Sequence, residues 1–173
     1  VLKNFPNQSA LFQDWAHTYL GWDVEHQSIA ILNRDDKNVY NIKHRQKFIY
    51  EESTKTLSNK RVDGKWIGMK YLQGAPFPLA YFKAHTDKRV IICEGEKDAL
   101  NLLSYNINAL TLGGVSNSWD EHKELLKDKT VFIWFDNDKA GYENALKRYY
   151  ELSSVAGDIF IVPFFSINAV LDN

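Results

Sequence analysis

From residue 89 onward the chain alternates short apolar runs with segments of helical period. This rhythm restricts the fold more than any other feature. Arg89–Cys93, Ala109–Leu112, Thr130–Phe135 and Asp158–Val162 read as strands. The stretches near Lys97–Tyr105, Trp119–Lys127 and Lys139–Ser153 between them read as helices. Such alternation predicts an α/β fold, a parallel sheet with helices on its faces. Tyr142, Ala145, Leu146 and Tyr149 form an apolar stripe that is expected to pack on the core.

Two of these strands run out into acids. Glu94 follows Val90-Ile91-Ile92-Cys93, and Asp136 and Asp138 follow Val131-Phe132-Ile133-Trp134-Phe135. In an open α/β sheet, ligands bind beyond the carboxyl ends of the strands. Hard carboxylate oxygens gathered there suit Mg²⁺ or Mn²⁺. Within Glu94-Gly95-Glu96-Lys97-Asp98, the glycine permits a sharp exit from the strand. If a helix starts at once, Glu94 and Asp98 lie four apart and can face one cleft. Glu94 can then ligate metal or serve as a base toward a hydroxyl, whereas Glu96 fits a role complementing the helix dipole. In Asp136-Asn137-Asp138, an extended backbone points both carboxylates the same way. The structural alternative makes Asp138 an N-cap and Asp136 a turn residue.

Gly113-Gly114 before Ser116, Asn117 and Ser118 reads either as a phosphate-binding turn or as an ordinary strand-to-helix loop. No G-x-x-x-x-G-K-[ST] run is present, which excludes a P-loop site. His17, His26, His44, His85 and His122 show no metal-ligand spacing, and the single Cys93 excludes both an intrachain disulfide and a cysteine-based zinc ribbon. Cys93 sits in an apolar run and is expected to be buried and inert.

The first half has a different grain. Ser9 can cap a helix that runs to about Leu20, with Gly21 as its stop. Short β-rich runs follow at Ile29–Leu32, Val39–Ile42, Phe48–Tyr50 and Trp66–Leu72, with turns at Asp35-Asp36 and Asp63-Gly64. They predict a small, mostly antiparallel sheet. Gly74, Pro76 and Pro78 then read as a linker. The expected division is a basic α+β subdomain over residues 1–78 and a catalytic domain over residues 79–173.

The formal net charge is −1, but it is unevenly spread. Residues 37–70 hold nine Lys/Arg against three acids, a balance of +6, and the rest carries −7. A basic segment beside an acidic site fits a polyanion partner plus metal ions. A solvated lysine-rich hairpin is the plainer explanation. Tyr40, Phe48, Tyr50 and Trp66 lie among these charges, as bases for stacking or as the core of the small sheet. No apolar stretch reaches membrane-spanning length and no signal peptide is visible, so a cytoplasmic location without membrane contact is expected. The chain starts at Val1 and stops soon after a strand, which reads as a fragment of a longer protein.

The glutamate after the first strand and the D-x-D after a later one resemble the Toprim family. The similarity covers about Lys88 to Val162 and is best over Val90–Leu100 and Val131–Gly141. It is greatest to the catalytic cores of bacterial-type DNA primases and phage primase-helicases, in which a small basic subdomain precedes the Toprim sheet. Lys65–Tyr81, with its Gly-x-Pro-x-Pro-Leu run, is more loosely similar to the join seen there.

The resemblance implies that Glu94 is catalytic and that Glu94, Asp136, Asp138 and Asp98 surround Mg²⁺ or Mn²⁺. It places Lys43, Arg45 and Lys70 as candidates for contacting nucleotide or template, and the basic balance of residues 37–70 adds Lys47 to them. It implies single-stranded DNA and nucleoside triphosphates as partners, with a helicase or a zinc-binding domain elsewhere in the full-length protein. Two departures stand out: no zinc-binding domain is present in this sequence, and Ser166-Ile167-Asn168-Ala169 stands where related phage proteins carry an Asp-rich segment. The rival readings are a Toprim nuclease and a non-catalytic nucleic-acid-binding module of a replication or mobile-element protein. A topoisomerase would need a separate tyrosine-bearing domain.

Overall fold

The computed structural model describes residues 17–25, 28–34, 37–45, 50–51, 60–61, 66–68, 75–114 and 117–163. For residues 44, 45, 50, 51, 60, 61 and 66–68 the backbone alone is described. The expected turns at Asp35-Asp36 and Asp63-Gly64, and the helix start at Ser9, lie outside these residues.

The second half is the expected parallel sheet. β7 (Arg89–Cys93), β8 (Ala109–Leu110), β9 (Thr130–Trp134) and β10 (Asp158–Ile161) are ordered β10-β9-β7-β8, with every pairing parallel. Alternation along the strands separates two apolar layers. Val90, Ile92, Val131 and Ile133 face a cluster completed by Phe82, Trp119, Leu126, Ala145 and Leu152. Cys93 faces the other layer with Ala99, Leu100, Leu103 and Ala109.

Among the described residues, three helices support the sheet: α1 (Leu79–Ala84), α2 (Glu96–Ser104) and α3 (Lys139–Leu152). α1 puts Tyr81 into one layer and Phe82 into the other. It falls just after the expected linker, whose described residues, 75–78, are tied down; Gly74 lies outside the described residues. Phe77 exchanges backbone hydrogen bonds with Thr111 at 2.7 and 2.9 Å, as an antiparallel bridge beside β8.

Other expectations need correction. The helix expected over Trp119–Lys127 is only a 3₁₀ turn at Lys123–Leu126. Trp119 is buried, and the Glu151 carboxylate accepts bonds from its N–H and from the Ser118 hydroxyl. Long-range contacts therefore fix this segment in a non-helical path. Glu151 also pairs with the fully buried Arg148, which supplies the charge that burial requires. The buried stripe of α3 is Gly141, Ala145, Arg148 and Leu152, rotated from the expected one, and Tyr142 is 61% exposed. The strand expected over Ala109–Leu112 ends at Leu110.

The first half forms the expected antiparallel sheet, ordered β1-β2-β3-β6: β1 (Leu20–Asp23), β2 (Ser28–Arg34), β3 (Val39–Arg45) and β6 (Trp66–Gly68). β4 (Tyr50–Glu51) and β5 (Lys60–Arg61) pair separately. His17, Thr18 and Tyr19 are helical, but Leu20 already begins β1, so Gly21 lies within a strand and is no helix stop.

The two sheets share a core. Tyr19 and Ile31 belong to the layer of Phe77, Tyr81 and Cys93, and Tyr19 meets Phe77 edge-on at 5.3 Å. The Asn33 amide donates to the Ala75 and Pro76 carbonyls at 2.8 and 3.0 Å. Among the described residues, no helix is long and apolar enough to cross a membrane.

Candidate metal centre

The order β10-β9-β7-β8 puts a topological switch between β7 and β9. β7 leads through α2 to β8 on one side, and β9 leads through α3 to β10 on the other. Clefts outside the strand ends form at such points. Cys93 is level with Trp134 across the parallel pair, so the chain leaves both central strands at the same edge. Glu94 and Asp136 are therefore brought together from 42 residues apart, and the Asp136 N–H donates to Glu94 Oε2 at 3.3 Å.

Each acid is held by local structure. Gly95 is the N-cap of α2, and its N–H donates to Asp98 Oδ2 at 3.1 Å, which orients Asp98 on the first turn. Asp138 is the N-cap of α3, with Oδ1 accepting from the Gly141 N–H at 2.7 Å. The structural alternative for Asp138 thus holds for one oxygen, and the carboxylate keeps its other oxygen for a further partner. Asp136 turns tightly, its carbonyl accepting from the Asp138 N–H at 2.9 Å.

Gly141 is required by close approach. A Cβ there would collide with the Asp136 carbonyl oxygen and crowd its carbon, at 3.0 Å. Gly141→Ala is expected to destabilise the protein by about 2 kcal/mol, the usual scale of overpacking. It should also shift the Asp136 turn. Thermal melts check the first effect and metal titration the second.

The carboxylates act on one another. Burial pushes the Glu94 carboxyl above its ordinary range, and the charges of Asp136, Asp138 and Asp98 add to this against the Asp136 hydrogen bond. Asp98 is also raised, first by the atoms packed around it and then by the Asp136 charge, while the Gly95 N–H opposes the shift. Cys93 is buried, and burial raises its thiol well above the usual range, as expected of an inert cysteine.

Among the described residues, no three His, Cys, Asp or Glu side chains converge closely enough to hold a metal ion as they stand. The donor set itself fits a hard divalent cation. It is all oxygen, it sits at the strand ends, and its mutual repulsion is what a cation would relieve.

The basic candidates divide. Lys43 lies beside the site, pairing with the Glu96 carboxylate and donating to the Gly113 carbonyl, and not against the four acids. Arg45 is the last residue of β3, opposite Trp66. Lys47 and Lys70 lie outside the described residues.

Two aromatic residues line the cleft and the buried Thr111 supports it from behind; sequence patterns assigned none of them to the site, and Tyr142 was expected in the core. Trp134, 40% exposed, lines a concavity with Asp98, Asn101, Leu102 and Asp136. Tyr142 lines another with Asp136, Asn137 and Asp138. Thr111 donates its hydroxyl proton to the Glu94 carbonyl at 2.9 Å. An aromatic at a strand end is a weak signal, and Thr111 carries none, because its partner is a backbone atom 17 residues away.

The family comparison matches this half of the molecule: residues 91–167 fit the model described as Toprim-like. These residues form a Toprim-like domain. A DNA primase from Chlamydia muridarum is 38% identical over 79 residues, which are 44% of this chain and 13% of that protein. The structure resembles the zinc-binding and RNA polymerase domains of the Aquifex aeolicus primase, with a TM-score of 0.58 and 22% identity over 79% of this chain and 34% of that one. It also resembles the primase fragment of the bacteriophage T7 primase-helicase, with a TM-score of 0.56 and 17% identity over 91% of this chain and 63% of that one. The chain thus spans only part of each protein it matches. At these identities the structural likeness extends to the fold, and it takes in the antiparallel sheet as well as the Toprim-like domain.

Proposed function

We propose that this chain is a DNA primase-type catalytic core, making RNA primers on single-stranded DNA by metal-dependent nucleotidyl transfer. The observation that carries the reading is the meeting of Glu94 and Asp136 at the switch point of a Toprim-like sheet. The sequence similarity to a DNA primase supports it. In this reading residues 1–78 form a basic subdomain and residues 79–173 the catalytic domain.

Glu94, Asp136 and Asp138, with Asp98 beside them, would hold Mg²⁺ or Mn²⁺. Such an ion polarises phosphoryl oxygens and acidifies a bound hydroxyl. Glu94 would accept the proton of the attacking 3′-hydroxyl. The 3′-oxygen bonds to the α-phosphorus, and pyrophosphate leaves. The cap and turn around Asp138 and Asp136 hold their carboxylates at the strand ends through the step.

Arg45, Lys47 and Lys70 would face template backbone or incoming phosphates. Their joint replacement by Ala is expected to flatten the slope of log K against log salt for single-stranded DNA by about two, since each phosphate contact contributes about 0.7. Fluorescence anisotropy across a salt series reads this directly. In the parent protein, a helicase or zinc-binding domain would help choose the start site.

The function itself is tested by incubating the protein with Mg²⁺ or Mn²⁺, the four ribonucleotides and single-stranded DNA. Template-dependent RNA is the expected product. Cleaved DNA without RNA would mark a nuclease using the same acids. Binding without either product would mark a non-catalytic module.

A further inference from the structure

Lys43 stands in β3, yet its ammonium meets the start of α2 and the loop after β8. It pairs with the Glu96 carboxylate and donates to the Gly113 carbonyl at 2.9 Å. Both side chains of the pair are largely buried, at 16% and 12% exposed. An ammonium has three donors, and two are engaged here. Moving it to a phosphate would abandon both bonds and leave the Glu96 carboxylate unpaired in a poorly solvated place.

The contacts lead to Glu94 from two sides. On one side, Glu96 opens α2 immediately after the Glu94-Gly95 turn. On the other, the Gly113 N–H donates to Thr111 Oγ1 at 2.9 Å, and the Thr111 hydroxyl donates to the Glu94 carbonyl at 2.9 Å. Gly113 is shaped to this pair. Its φ is +68°, and a Cβ there would run into the Glu96 carboxylate and the Lys43 ammonium.

We infer that Lys43 is a positioning residue for Glu94, a strut from the antiparallel sheet that braces the turn carrying this acid, in place of a contact to polyanion. The inference rests on the proposed role of Glu94, but the strut can be measured without turnover.

The test compares wild type, Lys43→Met, Lys43→Arg and Glu96→Gln in the whole chain. In Lys43→Met the amide resonances of Gly113, Thr111 and Glu94 should shift without metal or nucleotide present. The salt slope for single-stranded DNA should stay as in wild type. Primer synthesis should lose about tenfold or more in kcat with little change in KM, as expected of a misplaced catalytic group. Lys43→Arg should recover part of that loss. Glu96→Gln, which keeps the lysine, should move the same amides and so covers the case in which Lys43→Met does not fold. Unmoved Thr111 and Glu94 amides, together with a salt slope flattened by about 0.7, would overturn the strut and return Lys43 to the phosphate contacts. If wild type makes no primers, the proposed function fails, and the amide shifts still decide the strut.

Discussion

Replacing Asp136 and Asp138 together by Asn is expected to abolish Mg²⁺ or Mn²⁺ binding and nucleotidyl transfer while leaving the fold intact. The two residues do their structural work through atoms that Asn retains. Asp138 caps α3 with Oδ1, and Asn is about as good an N-cap as Asp. Asp136 closes its turn with its backbone carbonyl. What is lost is negative charge, and with it the repulsion that helps raise the Glu94 carboxyl. The metal-free variant should therefore be at least as stable as wild type. Calorimetric titration with Mn²⁺ and a thermal melt measure both effects. Undiminished Mn²⁺ binding would remove these two acids from the metal site.

Glu94→Gln is expected to cost about a hundredfold or more in the chemical step, even where metal remains bound. Gln keeps the shape but not the charge or basicity. The pH dependence separates this from simple damage. A base works deprotonated, so wild-type kcat should climb with pH as Glu94 ionises in the metal-bound protein, and the Gln variant should lack that limb. Stability runs the other way. A carboxyl whose folded pKa is raised favours folding below its unfolded pKa, and that contribution is lost as pH rises through the folded value. The metal-free protein should thus lose stability as Glu94 and Asp98 ionise, and Mn²⁺ should restore more at higher pH. Near-normal turnover in Glu94→Gln would make this residue structural.

The central strands were legible because Val90–Cys93 and Val131–Trp134 are unbroken apolar runs that end in acids. That pattern alone places carboxylates at strand ends. Their meeting depends on β9 returning beside β7, a consequence of topology. α1 was hidden because Pro76 and Pro78 read as breakers, although Pro78 precedes the first turn, where a helix has no need of its N–H.

The short 3₁₀ turn after Trp119 was not legible either, because Glu151 holds that segment from 32 residues away. The apolar stripe of α3 was placed in part: Ala145 lies in the core and Tyr149 packs against it, but Tyr142 is exposed, and Arg148, a charged residue ordinarily counted as exposed, is buried with an ion-pair partner. Charge counting likewise marked Lys43 as a surface cation. Only the tertiary approach of β3 to the start of α2 shows that Glu96 already neutralises it.

The most direct measurement is a titration of the isotopically labelled protein with sub-stoichiometric Mn²⁺, followed by paramagnetic broadening of its amide resonances. Broadening should appear first at Glu94, Asp98, Asp136 and Asp138, and Asp136→Asn/Asp138→Asn should remove it. Broadening centred elsewhere, or none in wild type at saturating Mn²⁺, would contradict a metal centre at the ends of β7 and β9.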